Sequence, residues 1–282
     1  MTPADALLQI AQLHDIAFTL EGKCPGGEVG AYYARRNDGR RFVFKWSDDT
    51  EDMDNLSRIA HRVNRLCEKG YPAPRYLEPL QVTSGVVIFQ DAVDGSWNDE
   101  VAHSLVDTVL RINDLQADGE VAGSSWTDYI RRTLTTGANG YCLHETLRSY
   151  SDQSRRLLDW VKGVGDQLAP LPGLDVVHLD FHHRNLLRVN GDLTAVVDWE
   201  GCQNGDRAFD LVTFCFGLTH ANAEPRVASR LWDRAVELTT ADAIRGYVAH
   251  MALRRADWTI RHHPEEFSSL MTFIDDYVKI VA

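Results

Sequence analysis

The stretch from Val176 to Glu200 constrains this chain more than any other. It reads Val176-Val177-His178-Leu179-Asp180-Phe181-His182-His183-Arg184-Asn185-Leu186-Leu187 and, after a short interval, Ala195-Val196-Val197-Asp198-Trp199-Glu200. Short apolar runs of β type bracket an H-x-D-x-x-x-x-N loop, and a second Asp follows thirteen residues after Asn185 at the end of the next strand. A turn and a hairpin can bring one amide and two carboxylates together at this spacing.

Around this segment the chain changes character along its length. Thr2-Pro3 followed by Leu7, Leu8, Ile10, Ala11 and Leu13 predicts a capped amphipathic helix. Residues 16–21, 29–36 and 41–46 read as strands, with a Gly-rich turn at 22–30 and an Asn37-Asp38-Gly39 turn. A helix from Thr50 to Lys69, ended by Gly70 and Pro72, precedes strands at 75–82 and 85–90. After Gly95 helical spacing takes over, with Val101, Leu105, Val109, Ile112 and Leu115 on one face. Residues 123–150 are broken by Gly137, Asn139 and Gly140, and Ser151 to Ala169 reads as a helix. From Asp206 onward four helical stretches are expected, separated near His220, Thr240 and Pro264. The fold class is therefore α+β, a small β-rich lobe over residues 1–92 and a larger, mainly helical lobe over 93–282. A ligand is expected in the cleft between them.

With 44% hydrophobic residues the chain is expected to be globular, and no apolar run of about 18 residues predicts a membrane span. Met1-Thr2-Pro3-Ala4-Asp5 lacks the basic start and apolar stretch of a signal peptide. Five scattered cysteines without C-x-x-C spacing read as reduced thiols of a cytoplasmic protein. The formal charge of −12 argues against a nucleic-acid binder. Residues 1–92 carry 11 basic and 13 acidic side chains, and residues 93–282 carry 18 and 28. The acidic second part suits a cationic ligand. No association stripe stands out, so a monomer is expected.

The chemistry that uses two carboxylates and an amide in this arrangement is phosphoryl transfer. One carboxylate orients the attacking hydroxyl and takes its proton, and an amide oxygen with a second carboxylate holds Mg2+, a hard cation that wants oxygen ligands. The chain resembles the aminoglycoside phosphotransferase and choline kinase superfamily, which has a bilobal protein-kinase-like fold. The resemblance lies in His178-Leu179-Asp180-Phe181-His182-His183-Arg184-Asn185, Asp198-Trp199-Glu200, and Gly205-Asp206-Arg207-Ala208-Phe209-Asp210-Leu211. It implies that Asp180 is the catalytic base, that Asn185 and Asp198 bind Mg2+, and that Asp210 and His178 brace the catalytic loop. The sequence departs from the family pattern at Leu179, where most relatives have Gly.

The resemblance also implies a nucleotide side, with ATP or GTP as the phosphoryl donor. Lys45, in the strand Arg41-Phe42-Val43-Phe44-Lys45-Trp46, would pair with the α- and β-phosphates. The loop Gly22–Ala31, with Gly26 and Gly27, would let backbone amides approach phosphate, although it does not fit a P-loop. No Glu stands where the family has one on the following helix; of the earlier acidic residues Glu51, Asp52 and Asp54, Glu51 has the longest reach and is the expected partner of Lys45, the alternative being that the pair is missing. Adenine is expected to meet backbone groups of Phe89-Gln90-Asp91-Ala92, at Gln90 and Ala92. On the acceptor side the candidates are Glu200, Trp199 and His182, with Asp99, Glu100, Asp128, Asp233, Glu237, Asp275 and Asp276 as further carboxylates for ammonium groups. Trp97, Trp126, Trp232 and Trp258 are further candidates for stacking on a ring or facing a cation.

The expected activity is thus transfer of a phosphoryl group to a hydroxyl of a small cationic acceptor, in the manner of the bacterial antibiotic kinases. An aminoglycoside or a basic cyclic peptide of the capreomycin and viomycin type fits the dispersed carboxylates. A metabolite kinase for choline, homoserine or a sugar is the alternative within the class, and a non-catalytic kinase-fold drug-binding protein the alternative outside it. His178, His182 and His183 beside Asp180 also allow a zinc hydrolase, but that scheme has no use for Asn185 and Asp198.

Overall fold

The computed structural model describes residues 2–25, 30–49, 52–117 and 125–281. In chain order the elements are α1 (Pro3–His14), β1 (Phe18–Lys23), β2 (Tyr32–Arg36), β3 (Arg41–Ser47), α2 (Met53–Glu68), β4 (Leu80–Val82), β5 (Gly85–Asp91), β6 (Glu100–Val101), α3 (His103–Leu115), α4 (Ser125–Thr136), α5 (His144–Tyr150), α6 (Asp152–Gln167) and β7 (Asp175–Val177). They continue with β8 (Leu186–Val189), β9 (Asp192–Val196), β10 (Gln203–Gly205), α7 (Ala208–Gly217), β11 (Asn222–Ala223), α8 (Val227–Leu238), α9 (Ala241–His262) and α10 (Phe267–Val281).

The chain folds as two units, one of Met1–Trp97 with Asn185–Glu200, the other of Asn98–Arg184 with Gly201–Ala282. The sequence sets the division at residue 92 and leaves 185–200 in the second lobe. Hydrogen bonds explain the difference. Within the first unit the Val196 N–H donates to the Pro72 carbonyl at 2.6 Å, and Ser96 and Arg188 exchange backbone bonds of 3.1 and 2.9 Å. The Thr194 hydroxyl donates to the Asp94 carbonyl at 2.8 Å. These bonds attach the β8–β9 hairpin to the first unit.

In the first unit α1 begins where the sequence places it. The Thr2 hydroxyl accepts the Asp5 N–H at 3.2 Å, the Asp5 carboxylate accepts the Thr2 N–H at 3.0 Å, and Pro3 fills the first turn. The sheet is antiparallel in the order β1-β2-β3-β5-β4. Side chains alternate between its faces. Phe42, Phe44 and Phe89 point to the α1 side and form an aromatic core with Ala6, Leu7 and Ile10. Phe18 stacks on Phe89 with ring centroids 4.3 Å apart. The cross-strand pairs Tyr33–Val43, Val43–Gln90 and Lys45–Ile88 share the opposite face. α2 buries Leu56, Ile59, Ala60, Val63 and Leu66 and stops at Gly70, whose φ is +87°.

The second unit is mainly helical. Its four C-terminal helices are separated where the sequence expects, and α4 and α5 occupy the stretch the sequence leaves hard to read, on either side of Gly137 and Gly140. α9 runs 22 residues and buries side chains on every face, as a helix at the centre of a bundle must. β7 pairs with β10, aligning Val177 with Gln203 and fixing the strand that leads into residues 178–184. Among the described residues no helix is long and apolar enough to cross a membrane.

Candidate active site

In the second unit the loop after β7 is held from below by a buried carboxylate. Asp210, in the first turn of α7, is inaccessible to solvent. It accepts the backbone N–H groups of His178 at 2.8 Å and Leu179 at 3.0 Å, and the Gln116 amide at 2.6 Å. Burial pushes the Asp210 pKa up to about 7 against the pull of these three donors. Gripped at two successive amides, the chain turns at Leu179 with φ +71°, a left-handed conformation that glycine adopts without cost. This explains physically why a glycine suits the family pattern there. His178 is fully buried, and its Nδ1 accepts the Asp180 N–H at 3.2 Å.

Asp180 therefore presents its carboxylate from a braced loop. Arg254 of α9 donates to Asp180 Oδ1 and to the Leu179 carbonyl, each at 2.7 Å. His182 Nε2 lies 3.5 Å from Asp180 Oδ2. Burial alone would raise the Asp180 pKa, but Arg254, His182 and His178 outweigh it and hold the carboxyl far below its ordinary range. The side chain keeps 35% of its surface exposed. The sequence reading missed Arg254. Its only signal is a pair of arginines, Arg254-Arg255, in a helix that buries Met251, Ala252, Leu253 and Ala256 around them. Next along the loop, His183 and Arg184 both bond Asp99, at 3.0 Å each. Burial lowers the His183 pKa to about 4.

In the first unit the β8–β9 hairpin sets the thirteen-residue spacing of the motif. Its turn is Asn190-Gly191, with φ of +53° and +92°, as a tight hairpin turn requires. At the open end the Val197 N–H donates to the Asn185 carbonyl at 3.0 Å, which sets the backbone of Asn185 beside the residue before Asp198. Asp198 has φ +72°, tolerable for Asp, and its side chain is 48% exposed. Lys45 Nζ lies 2.5 Å from Asp198 Oδ1 and 3.0 Å from Glu200 Oε2. Burial pulls the Lys45 pKa down, but the Glu200 and Asp198 carboxylates more than offset it, so the ammonium persists. Glu200 itself is raised by burial, with Lys45 opposing. Asn185 and Asp198 offer an amide and a carboxylate from adjacent backbone, the oxygen donors that a hard divalent cation takes.

Several expectations from the sequence are corrected. Trp199 is not at the acceptor. It is fully buried in the first unit, its indole N–H donating to the Val196 carbonyl at 2.8 Å and its ring meeting Tyr71 edge-on. Glu200, assigned from sequence to the acceptor, is turned onto Lys45. Gly26, Gly27 and Glu51 lie outside the described residues. At the expected adenine contact, the Asp91 and Ala92 amides are committed to the carbonyls of Arg75 and Arg41 at 2.8 and 3.0 Å. The Gln90 side chain is buried on the Lys45 face of the sheet, and its Oε1 has no hydrogen-bond partner among the described residues. Of the further acceptor carboxylates, Asp99 pairs with Arg184, Asp128 with Arg131, Glu237 with Arg234 and Asp276 with Lys279. Glu100 accepts from Asn222. Trp126 is core.

A β-sheet region followed by a helical region, with these three motifs in order, defines a kinase-like small-molecule phosphotransferase. The chain belongs to the phosphotransferase enzyme family, whose model matches residues 24–247. It is similar in structure to aminoglycoside phosphotransferase APH(4)-Ia, at 17% identity, 99% of each chain covered and a TM-score of 0.67. A thermostable mutant of that enzyme in ternary complex with ADP and hygromycin B matches at 16% identity over 99% of this chain and 98% of that one, TM-score 0.65. Amicoumacin kinase hAmiN in complex with AMP-PNP, Ca2+ and Ami matches at 13% identity over 98% and 94%, TM-score 0.62. No curated protein matches the chain by sequence.

Proposed function

We propose that the protein transfers the γ-phosphoryl group of ATP to a hydroxyl of a small antibiotic, an aminoglycoside or a basic cyclic peptide, and so confers resistance. Asp180 carries this proposal. Its carboxylate is ionised, half-buried and aligned by Arg254, as a group that orients a hydroxyl needs to be. The acceptor class draws on the hygromycin B complex of one structural neighbour and on the amicoumacin kinase among the others.

In this scheme Lys45 binds the α- and β-phosphates of the donor, with Glu200 keeping its ammonium in place. Asn185 and Asp198 hold Mg2+, which when bound neutralises charge on the phosphates. Asp180 accepts a hydrogen bond from the acceptor hydroxyl, aligns it for in-line attack and takes its proton late in the transfer. A low pKa suits that role, because the transition state is loose and little proton transfer is needed early. His182, beside Asp180, contacts the acceptor. The test is Asp180→Asn. ATP affinity by calorimetry is expected to match wild type, while turnover falls by about 10²–10⁴-fold, the usual worth of a positioned base. A variant that turns over like wild type would falsify the assignment.

A further inference from the structure

Most arginines near the catalytic loop have a carboxylate of their own. Arg254 is on Asp180, Arg184 on Asp99 and Arg261 on Asp257. Arg255 is different. Its Nη2 donates to the Thr219 hydroxyl at 3.2 Å and meets the His220 ring, and its guanidinium lies 5.4 Å from the Trp258 ring centroid. Its Nε is buried and has no hydrogen-bond partner among the described residues. Among the described residues no carboxylate pairs with it; Glu266 and Asp180 act on it only from beyond ion-pair distance. Burial and the neighbouring Arg254 charge hold its pKa down to about 10. Taking a guanidinium out of water without an anion is unfavourable, and an anion that meets its free N–H groups offsets part of that cost.

The surroundings place this group beside the reacting carboxylate of the same unit. A Cβ on Gly217 would come within 2.9 Å of the His182 Cβ, so the absence of a side chain lets the end of α7 press against His182. His182 in turn lies 3.5 Å from Asp180. Thr219 and His220 follow closely after Gly217 and are the residues that Arg255 touches.

We propose that Arg255, with Thr219 and His220, forms an oxyanion-binding subsite beside Asp180. Guanidinium recognises phosphate and carboxylate through the same paired N–H donors. The oxyanion is thus either the phosphoryl group in transfer or a carboxylate carried by the acceptor. The location of the subsite at a reaction centre rests on the role proposed for Asp180.

The test is a binding measurement on the full chain, followed by tryptophan emission, with Trp258→Phe to identify the reporting ring. Inorganic phosphate, malate, ADP and AMP-PNP are titrated separately. Wild type is expected to give a saturable response to phosphate or malate, weakened tenfold or more in Arg255→Gln and partly kept in Arg255→Lys. If AMP-PNP weakens with Arg255→Gln while ADP does not, the oxyanion is the transferred phosphoryl group. If both nucleotides bind as in wild type and malate weakens, it is an acceptor carboxylate. The proposal is overturned if wild type responds to neither small anion, or if both variants bind all four ligands as wild type does. Circular dichroism shows whether Arg255→Gln folds; if it does not, wild type and Arg255→Lys decide. Turnover does not enter, so a failure here leaves the catalytic assignment to be decided separately by Asp180→Asn.

Discussion

At Asp180 two effects of opposite sign compete, and Arg254 decides between them. Burial favours the protonated carboxyl, and the guanidinium at 2.7 Å favours the carboxylate. With Arg254 present, the pH profile of turnover is expected to show no acid limb from Asp180 near neutrality. In Arg254→Met the burial remains and the counter-charge is gone, so the Asp180 pKa rises and an acid limb moves up into the measurable range. Turnover at neutral pH falls with it, and ATP affinity does not. An unchanged pH profile in that variant contradicts the role given to Arg254. Asp180 itself is legible in the sequence from its neighbours, because the loop motif is local. Arg254 is not, because a contact across 74 residues leaves no spacing to read.

The loop after β7 and the hairpin show how secondary structure fixes the motif. Asn185 and Asp198 stand at the two ends of a hairpin whose Asn190-Gly191 turn and register set their separation. The loop before them depends on Asp210. In Asp210→Asn the amide nitrogen cannot accept, and at least one buried N–H of His178 or Leu179 loses its partner. A loss of about 1–3 kcal/mol is expected in denaturant unfolding at acid pH, where the wild-type group is protonated and most at ease. Since the folded Asp210 pKa is raised to about 7, its contribution is complete below the unfolded value of about 4 and declines as pH rises through 7. The gap between wild type and variant is therefore expected to narrow from pH 4 to pH 8; a gap that widens contradicts the account. At Leu179 the left-handed backbone predicts that Leu179→Gly stays within about 1 kcal/mol of wild type, since relieved strain offsets glycine's chain entropy. Leu179→Val, which is β-branched, is expected to lose more than about 1 kcal/mol. The reverse order would show that packing, not backbone conformation, governs the position.

Over the whole molecule the sequence carries the order of elements well and their grouping less well. Period-2 and helical spacing mark the β-rich start and the helical remainder, down to the breaks near His220, Thr240 and Pro264. The return of residues 185–200 to the first unit is not legible, because it depends on backbone bonds to Pro72 and Ser96 that leave no mark in composition. Net charge misleads in a similar way. The excess of acid in residues 93–282 suggests free carboxylates for a polycation, yet Asp99, Asp128, Glu237 and Asp276 are held by arginines or lysine of the same unit. Trp199 misleads because it stands between the two carboxylates that meet Lys45 while its own side chain is core. The central claim, phosphoryl transfer to a small hydroxylated acceptor with Asp180 as the base, is tested most directly by mass spectrometry. The protein is incubated with ATP, Mg2+ and a panel of aminoglycosides, basic cyclic peptides, choline, homoserine and simple sugars, beside Asp180→Asn. One antibiotic is expected to gain a single phosphoryl group with wild type and none with the variant. A gain that persists in Asp180→Asn, or no gain on any member of the panel while ATP is bound, contradicts the claim.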